Sequence, residues 1–263
     1  MMSMKMSDGM QMAGKANAQG EKVALKVFDS SNFEEFATNP KMSTARRQIG
    51  EIYQKAYENS EFWPLYKEGD IGPVWGRELA KFAAKNGILI VAQDRDTGEV
   101  LGSIMAVPFA KVMDSHSDEL KLTISRLREV FGEEKLRQMH FGIDITVSEA
   151  AQRSGVGMKI MNRYIEEIGR RGFTAMLDWT SPVDGNPVIS SFYRKLGIEE
   201  IPGRMRGIEW SASNKVATIN GGKQTESTSA DFHFEGEENA IYGIKWLDKQ
   251  NKDATALTAA ARQ

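Results

Sequence analysis

The sequence predicts an α/β fold, a mixed sheet with helices packed on its faces, and three observations carry that prediction. Between residues 140 and 196 the apolar period switches between that of a strand and that of a helix, in the order β-α-β-α. Upstream, short apolar runs at 88–93 and 100–107 flank Asp96-Thr97-Gly98, the pattern of a β-hairpin. Two amphipathic stretches of helical period precede that hairpin. At 263 residues and 41% hydrophobic content, the chain can bury the core of one full-sized domain.

In chain order, residues 23–28 alternate as a strand, and Asp29-Ser30-Ser31 offers N-cap oxygens for a short helix through Phe36. Residues 45–58 read as a helix with Ile49, Ile52, Tyr53 and Ala56 on one stripe, and 74–85 as a second, ending before Gly87. The hairpin follows and stops before Pro108. From 118 to 137 the apolar positions Leu120, Leu122, Ile124, Leu127, Val130, Phe131 and Leu136 keep a helical period, so one inserted helix is expected. A strand at 140–147, a helix at 155–171, a strand at 174–179 and a helix at 187–196 come next. Two more strands, 231–235 and 240–246, either complete the sheet or meet a second subunit in a homodimer. The expected organisation is a disordered arm at 1–21, a main domain at 22–210, a linker and β extension at 211–250, and a flexible tail at 251–263.

Composition removes several function classes. A formal charge of −2 supplies no broad cationic surface, which argues against nucleic acid as a partner. The absence of cysteine excludes disulfides, thiolate metal sites and cysteine nucleophiles. His116, His140 and His233 have no helical ligand spacing, so no metal is expected. Neither a Walker phosphate loop nor a Gly-x-Ser-x-Gly elbow occurs. The Met-rich start is broken by Lys5, Ser7, Asp8 and Gly9, and no stretch has transmembrane length, so a soluble, cytoplasmic protein with no membrane partner is expected.

The strongest chemical motif is Gln152-Arg153-Ser154-Gly155-Val156-Gly157, between the 140–147 strand and the next helix. Its glycines let backbone approach a ligand, and the helix N-terminus presents N–H groups and a positive dipole end suited to a pyrophosphate. Arg153 and Ser154 can add side-chain contacts. By itself a Gly-x-Gly after a strand more often only turns the chain. Val147, Gln152, Gly155 and Gly157, however, stand at the spacing of Val-x-x-x-x-[Gln/Arg]-x-x-Gly-x-[Gly/Ala]. A second block, Asn186 followed by Phe192, Tyr193, Lys195, Gly197 and Ile198, keeps its own register in the same order.

Together these blocks resemble the GNAT superfamily of acyl-CoA-dependent N-acetyltransferases, over residues 23–210. The resemblance implies a mostly antiparallel sheet with a splayed central strand pair, and direct acetyl transfer from acetyl-CoA to a primary amine in a ternary complex. It implies that the strand segment Ile145, Thr146 and Val147 pairs with the pantetheine arm. Amides of Gln152, Arg153, Ser154, Gly155, Val156 and Gly157 would receive the pyrophosphate. Asn186 would lie near the thioester end, and Tyr193 would touch the cofactor and act as general acid to the departing sulfur.

The base is open. Strict alternation from Val147 puts Ile145, Ile143 and Phe141 on one face, and Thr146, Asp144, Gly142 and His140 on the other. His140 and Asp144 are the nearest titratable candidates. Their structural alternatives are a solvent-facing strand end and a buried hydrogen-bonded carboxylate; ordered water, Glu68 or Asp70 could serve instead. Glu149 departs from the proline common in the family, and several extra residues separate Trp179 from Asn186. The insertion at 110–138 and the run Phe62-Trp63-Pro64-Leu65-Tyr66 are similar in layout to arylalkylamine acetyltransferases, which implies a small amine acceptor; equally, the aromatic run packs helices on the sheet. Two other readings stand beside this one: an acyl-CoA-binding module of the same fold without efficient catalysis, and a protein-lysine acetyltransferase.

Overall fold

The computed structural model describes residues 22–57, 71–115, 120–180, 187–201, 205–212, 219–220, 223–224 and 232–247. Strand β1 (Val23–Phe28) pairs antiparallel with β2 (Ile88–Asp94), and β2 with β3 (Val100–Pro108) in the predicted hairpin. β3 pairs antiparallel with β4 (Met139–Val147), which runs parallel to β5 (Ala175–Thr180). Beyond β5 lie β6 (Glu199–Glu200), β7 (Met205–Ala212), a two-residue pair β8 (Ile219–Asn220) and β9 (Lys223–Gln224), and β10 (Phe232–Trp246). The sheet order is β1-β2-β3-β4-β5-β10-β6, with β7 on the far part of β10. The late strands read separately at 231–235 and 240–246 are thus one strand, with a register shift between Glu237 and Ala240, and it enters the sheet of its own chain.

The period-two strands divide two cores between the faces of the sheet. On one face Phe28, Leu89, Val91, Met105, Val107, Phe141, Leu177 and Tyr242 meet helices α1 (Phe33–Ala37), α2 (Ser43–Tyr57) and α3 (Ile71–Asn86). The same core takes in α4 (Phe109–Ser115), α5 (Lys121–Phe131) and α6 (Glu133–Arg137). On the other face Ile90, Ile104, Ala106 and Met176 meet α7 (Val156–Arg170) and α8 (Pro187–Leu196). Each large apolar side chain buried there, such as Ile90, Ile104 or Met176, stabilises the fold by about 1.5–3 kcal/mol. At Gly87, between α3 and β2, the chain comes so close to β3 that an added Cβ would collide with the Ala106 carbonyl oxygen.

Several elements differ from their sequence reading for identifiable reasons. Asn32, not the Asp29–Ser31 triplet, stands at the N-cap of α1; Asp29 Oδ1 instead accepts from the Ser31 amide and hydroxyl, closing a tight Asx turn. Ala56 is exposed although Ile49 and Tyr53 of its stripe are buried. The helix expected across 118–137 breaks at Gly132, whose φ of 79° ends α5 and starts α6. Leu122, placed on its apolar stripe, is 80% exposed. No described helix is long and apolar enough to cross a membrane. The arm at 1–21, the tail at 251–263, Phe62 to Tyr66, Glu68, Asp70, His116 and Asn186 lie outside the described residues, as does most of the stretch 213–231.

Candidate active site

Parallel pairing of β4 with β5 covers only Met139, His140 and Phe141 against Ala175, Met176 and Leu177. Past Phe141 the strands part, and among the described residues β4 has no ladder partner on that side from Gly142 to Val147. A bulge accompanies the parting. Met105 faces Asp144 while the next residue, Ala106, faces Gly142, which leaves Ile143 as the extra residue. The expected alternation therefore fails at this point: Ile143 and Phe141 join the core of α1–α6, whereas Ile145 and Val147 join the core of α7. Thr146 and Asp144, by register, share the faces of Ser103 and Met105, and the Thr146 and Ser103 hydroxyls lie 3.5 Å apart.

At its end β4 is tied back by the Ser148 amide, which donates to Leu101 O at 2.9 Å, and a 3-10 turn (Glu149–Ala151) leads to the motif. The Gln152 amide donates to Ser148 O at 3.0 Å, and the Gln152 side chain reaches Val147 O. Arg153 and Gly155 take left-handed conformations, φ 62° and 87°. The Ser154 hydroxyl donates to Ala151 O and so anchors the turn from within. The first bond of the α7 ladder runs from the Lys159 amide to Gly155 O at 3.0 Å, so the amides of Val156, Gly157 and Met158 stand ahead of it. This is a concave run of main-chain donors with open space at Gly155, where an added Cβ would meet nothing within 4 Å. Such a cradle fits a phosphate group.

Tyr193 is carried to the wedge by α8, which Gly197 terminates at φ 67°. Ile198 N–H donates to Tyr193 O and Gly197 N–H to Arg194 O, both at 3.0 Å, the paired bonds of a Schellman cap. That cap is the physical content of the Lys195-x-Gly197-Ile198 pattern. The Tyr193 phenol donates to Asp178 Oδ2 at 3.2 Å, and the amide of Trp179 donates to Asp178 Oδ1 at 2.8 Å. Burial, aided by the nearby Asp144 charge, pushes the Asp178 carboxyl up to about 7. The side chain is half-buried, closely surrounded by protein yet with some surface open. Burial and the Asp178 charge raise the Tyr193 phenol well above its usual range.

His140 is 1% exposed and is not a solvent-facing strand end. Its Nδ1 lies 2.9 Å from the Tyr164 hydroxyl, and its ring meets Tyr164 and Phe173 edge-on. Burial lowers it to about 3, so it is neutral across the physiological range and serves as packing for α7. Asp144 is half-buried and acts electrostatically on both Asp178 and Tyr193. No group of three metal-ligating side chains is found among the described residues.

Residues 46–198 match the model of the acetyltransferase (GNAT) family. The chain belongs to that family. Among solved structures, a mosquito arylalkylamine N-acetyltransferase like 5b is similar at 18% identity and TM-score 0.51, covering 85% of this chain and 99% of its own. An N-acetyltransferase from Staphylococcus aureus Mu50 aligns at 12% identity and TM-score 0.47, over 86% and 99% of the two chains. The yncA structure from Salmonella typhimurium with its cofactor acetyl-CoA aligns at 14% and 0.47, over 87% and 95%. No curated protein matches this chain.

Within this GNAT chain the sequence reading missed Asp178. In sequence it is one polar position in an alternating strand. No contiguous motif beside it marks it as the partner of Tyr193.

Proposed function

We propose that the protein transfers an acetyl group from acetyl-CoA to a primary amine of a small molecule, by direct attack while both are bound. The observation that carries this reading is the alignment of three features along one gap: the strand edge of β4, the amide turn after it, and the Tyr193 phenol. Main-chain groups of Ile145 to Val147 would hold the pantetheine arm, and amides from Gln152 to Gly157 the pyrophosphate, with Asn186 near the thioester end. Acetyl-CoA supplies the activated acetyl thioester. Tyr193 holds a proton that its raised pKa keeps on the phenol, available to a departing sulfur. Nitrogen attack also requires loss of a proton, and among the described residues Asp144 and Asp178 are carboxyl groups that act on Tyr193. Two carboxyl groups beside the gap favour a basic, cationic acceptor.

Thiol release from acetyl-CoA across a panel of arylalkylamines, polyamines and lysine peptides tests the reading. Release with small amines is expected. Release with peptides alone would move the assignment to protein-lysine acetylation, and CoA binding without release from any acceptor would leave a binding module.

A further inference from the structure

Asp178 sits where β4 and β5 part, with each oxygen held separately, Oδ1 by the Trp179 amide and Oδ2 by the Tyr193 phenol. Gly142 of β4 lies beside the carboxyl, with an added Cβ standing at ordinary contact distance, 3.5 Å, from Asp178 Cγ, and Gly243, opposite Asp178 on β10, adds no charge. Among the described residues the charge that raises it is Asp144 on β4, a second carboxylate. From α7, Tyr164 senses the Asp178 charge but is occupied by neutral His140. A structural carboxylate in such surroundings is ordinarily offset by a cation. This one is coupled instead to the phenol that faces the reaction.

Resting on the N-acetyltransferase reading, we propose that Asp178 is a positioning residue that acts through Tyr193, storing the proton that passes by way of the phenol to the departing sulfur. Tyr193 Oη gives its proton to sulfur as the carbon–sulfur bond breaks and its electron pair goes to sulfur. Asp178 Oδ2 then gives its proton to Tyr193 Oη. The nitrogen that has bonded to the carbonyl carbon loses its proton to solvent and Asp178 regains one from solvent, so no proton is gained or lost over the cycle. Oη and Oδ2 stand 3.2 Å apart, so the same contact serves a protonated carboxyl giving its proton to the phenol oxygen and, afterwards, the phenol donating to the carboxylate. A carboxyl at about 7 is suited to both transfers near neutral pH.

Asp178→Asn keeps the size and one acceptor oxygen but exchanges no proton near neutrality. CoA binding is measured by calorimetry in buffers of different ionisation enthalpy, which counts protons taken up. Between about pH 6 and 8 the wild type should take up more than Asp178→Asn, because a ligand covering the carboxyl favours its acid form. The phosphates of CoA titrate in both proteins and cancel in the difference. In turnover, Asp178→Asn should lose about 10- to 100-fold in kcat with CoA affinity within about twofold, and the wild-type decline above about pH 7 should vanish. Tyr193→Phe, which keeps the carboxyl, should lose as much, and the double variant no more than either. Equal proton uptake, or a pH profile in Asp178→Asn that follows the wild type, overturns the role of Asp178 and leaves acetyl transfer standing. A wild-type protein that binds no CoA overturns both.

Discussion

Asp178→Asn should make the protein more stable at neutral pH, and the gain should disappear in acid. The carboxyl rises from 3.8 to about 7 on folding, so the folded state disfavours its charge. At 1.36 kcal/mol per pH unit this amounts to about 4 kcal/mol for a dry site. The solvent that reaches a half-buried side chain reduces it to about 2 kcal/mol. Below 3.8 both folded and unfolded chains hold the proton and no penalty exists. Between about pH 4 and 7 only the unfolded chain releases it, so wild-type stability falls relative to the variant, and above about 7 the difference is constant. Asp29, Asp94 and Glu167 are depressed on folding and act with the opposite sign, but they do so in both proteins. Urea unfolding of the two proteins at pH 4 and pH 8 isolates the effect; about 2 kcal/mol corresponds to roughly 4–8 °C in a parallel melt. A variant equally stabilised at both pH values, or less stable than wild type at pH 8, would refute the buried-charge argument.

Gly87→Ala should cost about 2–3 kcal/mol in the same unfolding assay, because the three nearest contacts of the new Cβ, Ala106 O, Val107 Cα at 2.7 Å and Ala106 C at 3.0 Å, are all backbone of a central strand. Gly155→Glu should weaken CoA binding about tenfold or more, by setting a carboxylate at the amide cradle on top of about 1–2 kcal/mol of strain at φ 87°; unchanged calorimetric affinity would remove the pyrophosphate from this turn. His140, held at about 3 by burial, should show no imidazole titration by NMR between about pH 5 and 8. Since its unfolded value is 6.5, it should also contribute to acid unfolding, with its share of stability lost progressively as pH falls from about 6.5 toward 3.

What could be read from the sequence follows the range of the interactions involved. The amide cradle is local: strand, turn and helix start are contiguous from Val147 to Met158, so glycine spacing alone describes their geometry. The Schellman cap at Gly197 is equally local. The bulge at Ile143 is not. Phe141, Ile143, Ile145 and Val147 are all apolar, and alternation reads identically with or without a slipped residue; only pairing with Met105 and Ala106 reveals that Ile143 and Ile145 face opposite cores. Asp178 is less local still. Its environment requires a parallel strand to depart beyond Phe141 and a later helix to return the Tyr193 phenol, fifteen residues onward, to it. A motif search finds Tyr193 because α8 carries its pattern contiguously, and passes over Asp178 because nothing beside it in sequence marks the partner. If the carboxyl is what sets the proton inventory of that phenol, acid strength in this GNAT chain is decided by β5 rather than by the helix that bears the acid. Exchanges at position 178 should then retune the pH dependence of transfer while the cofactor-binding turn stays as it is.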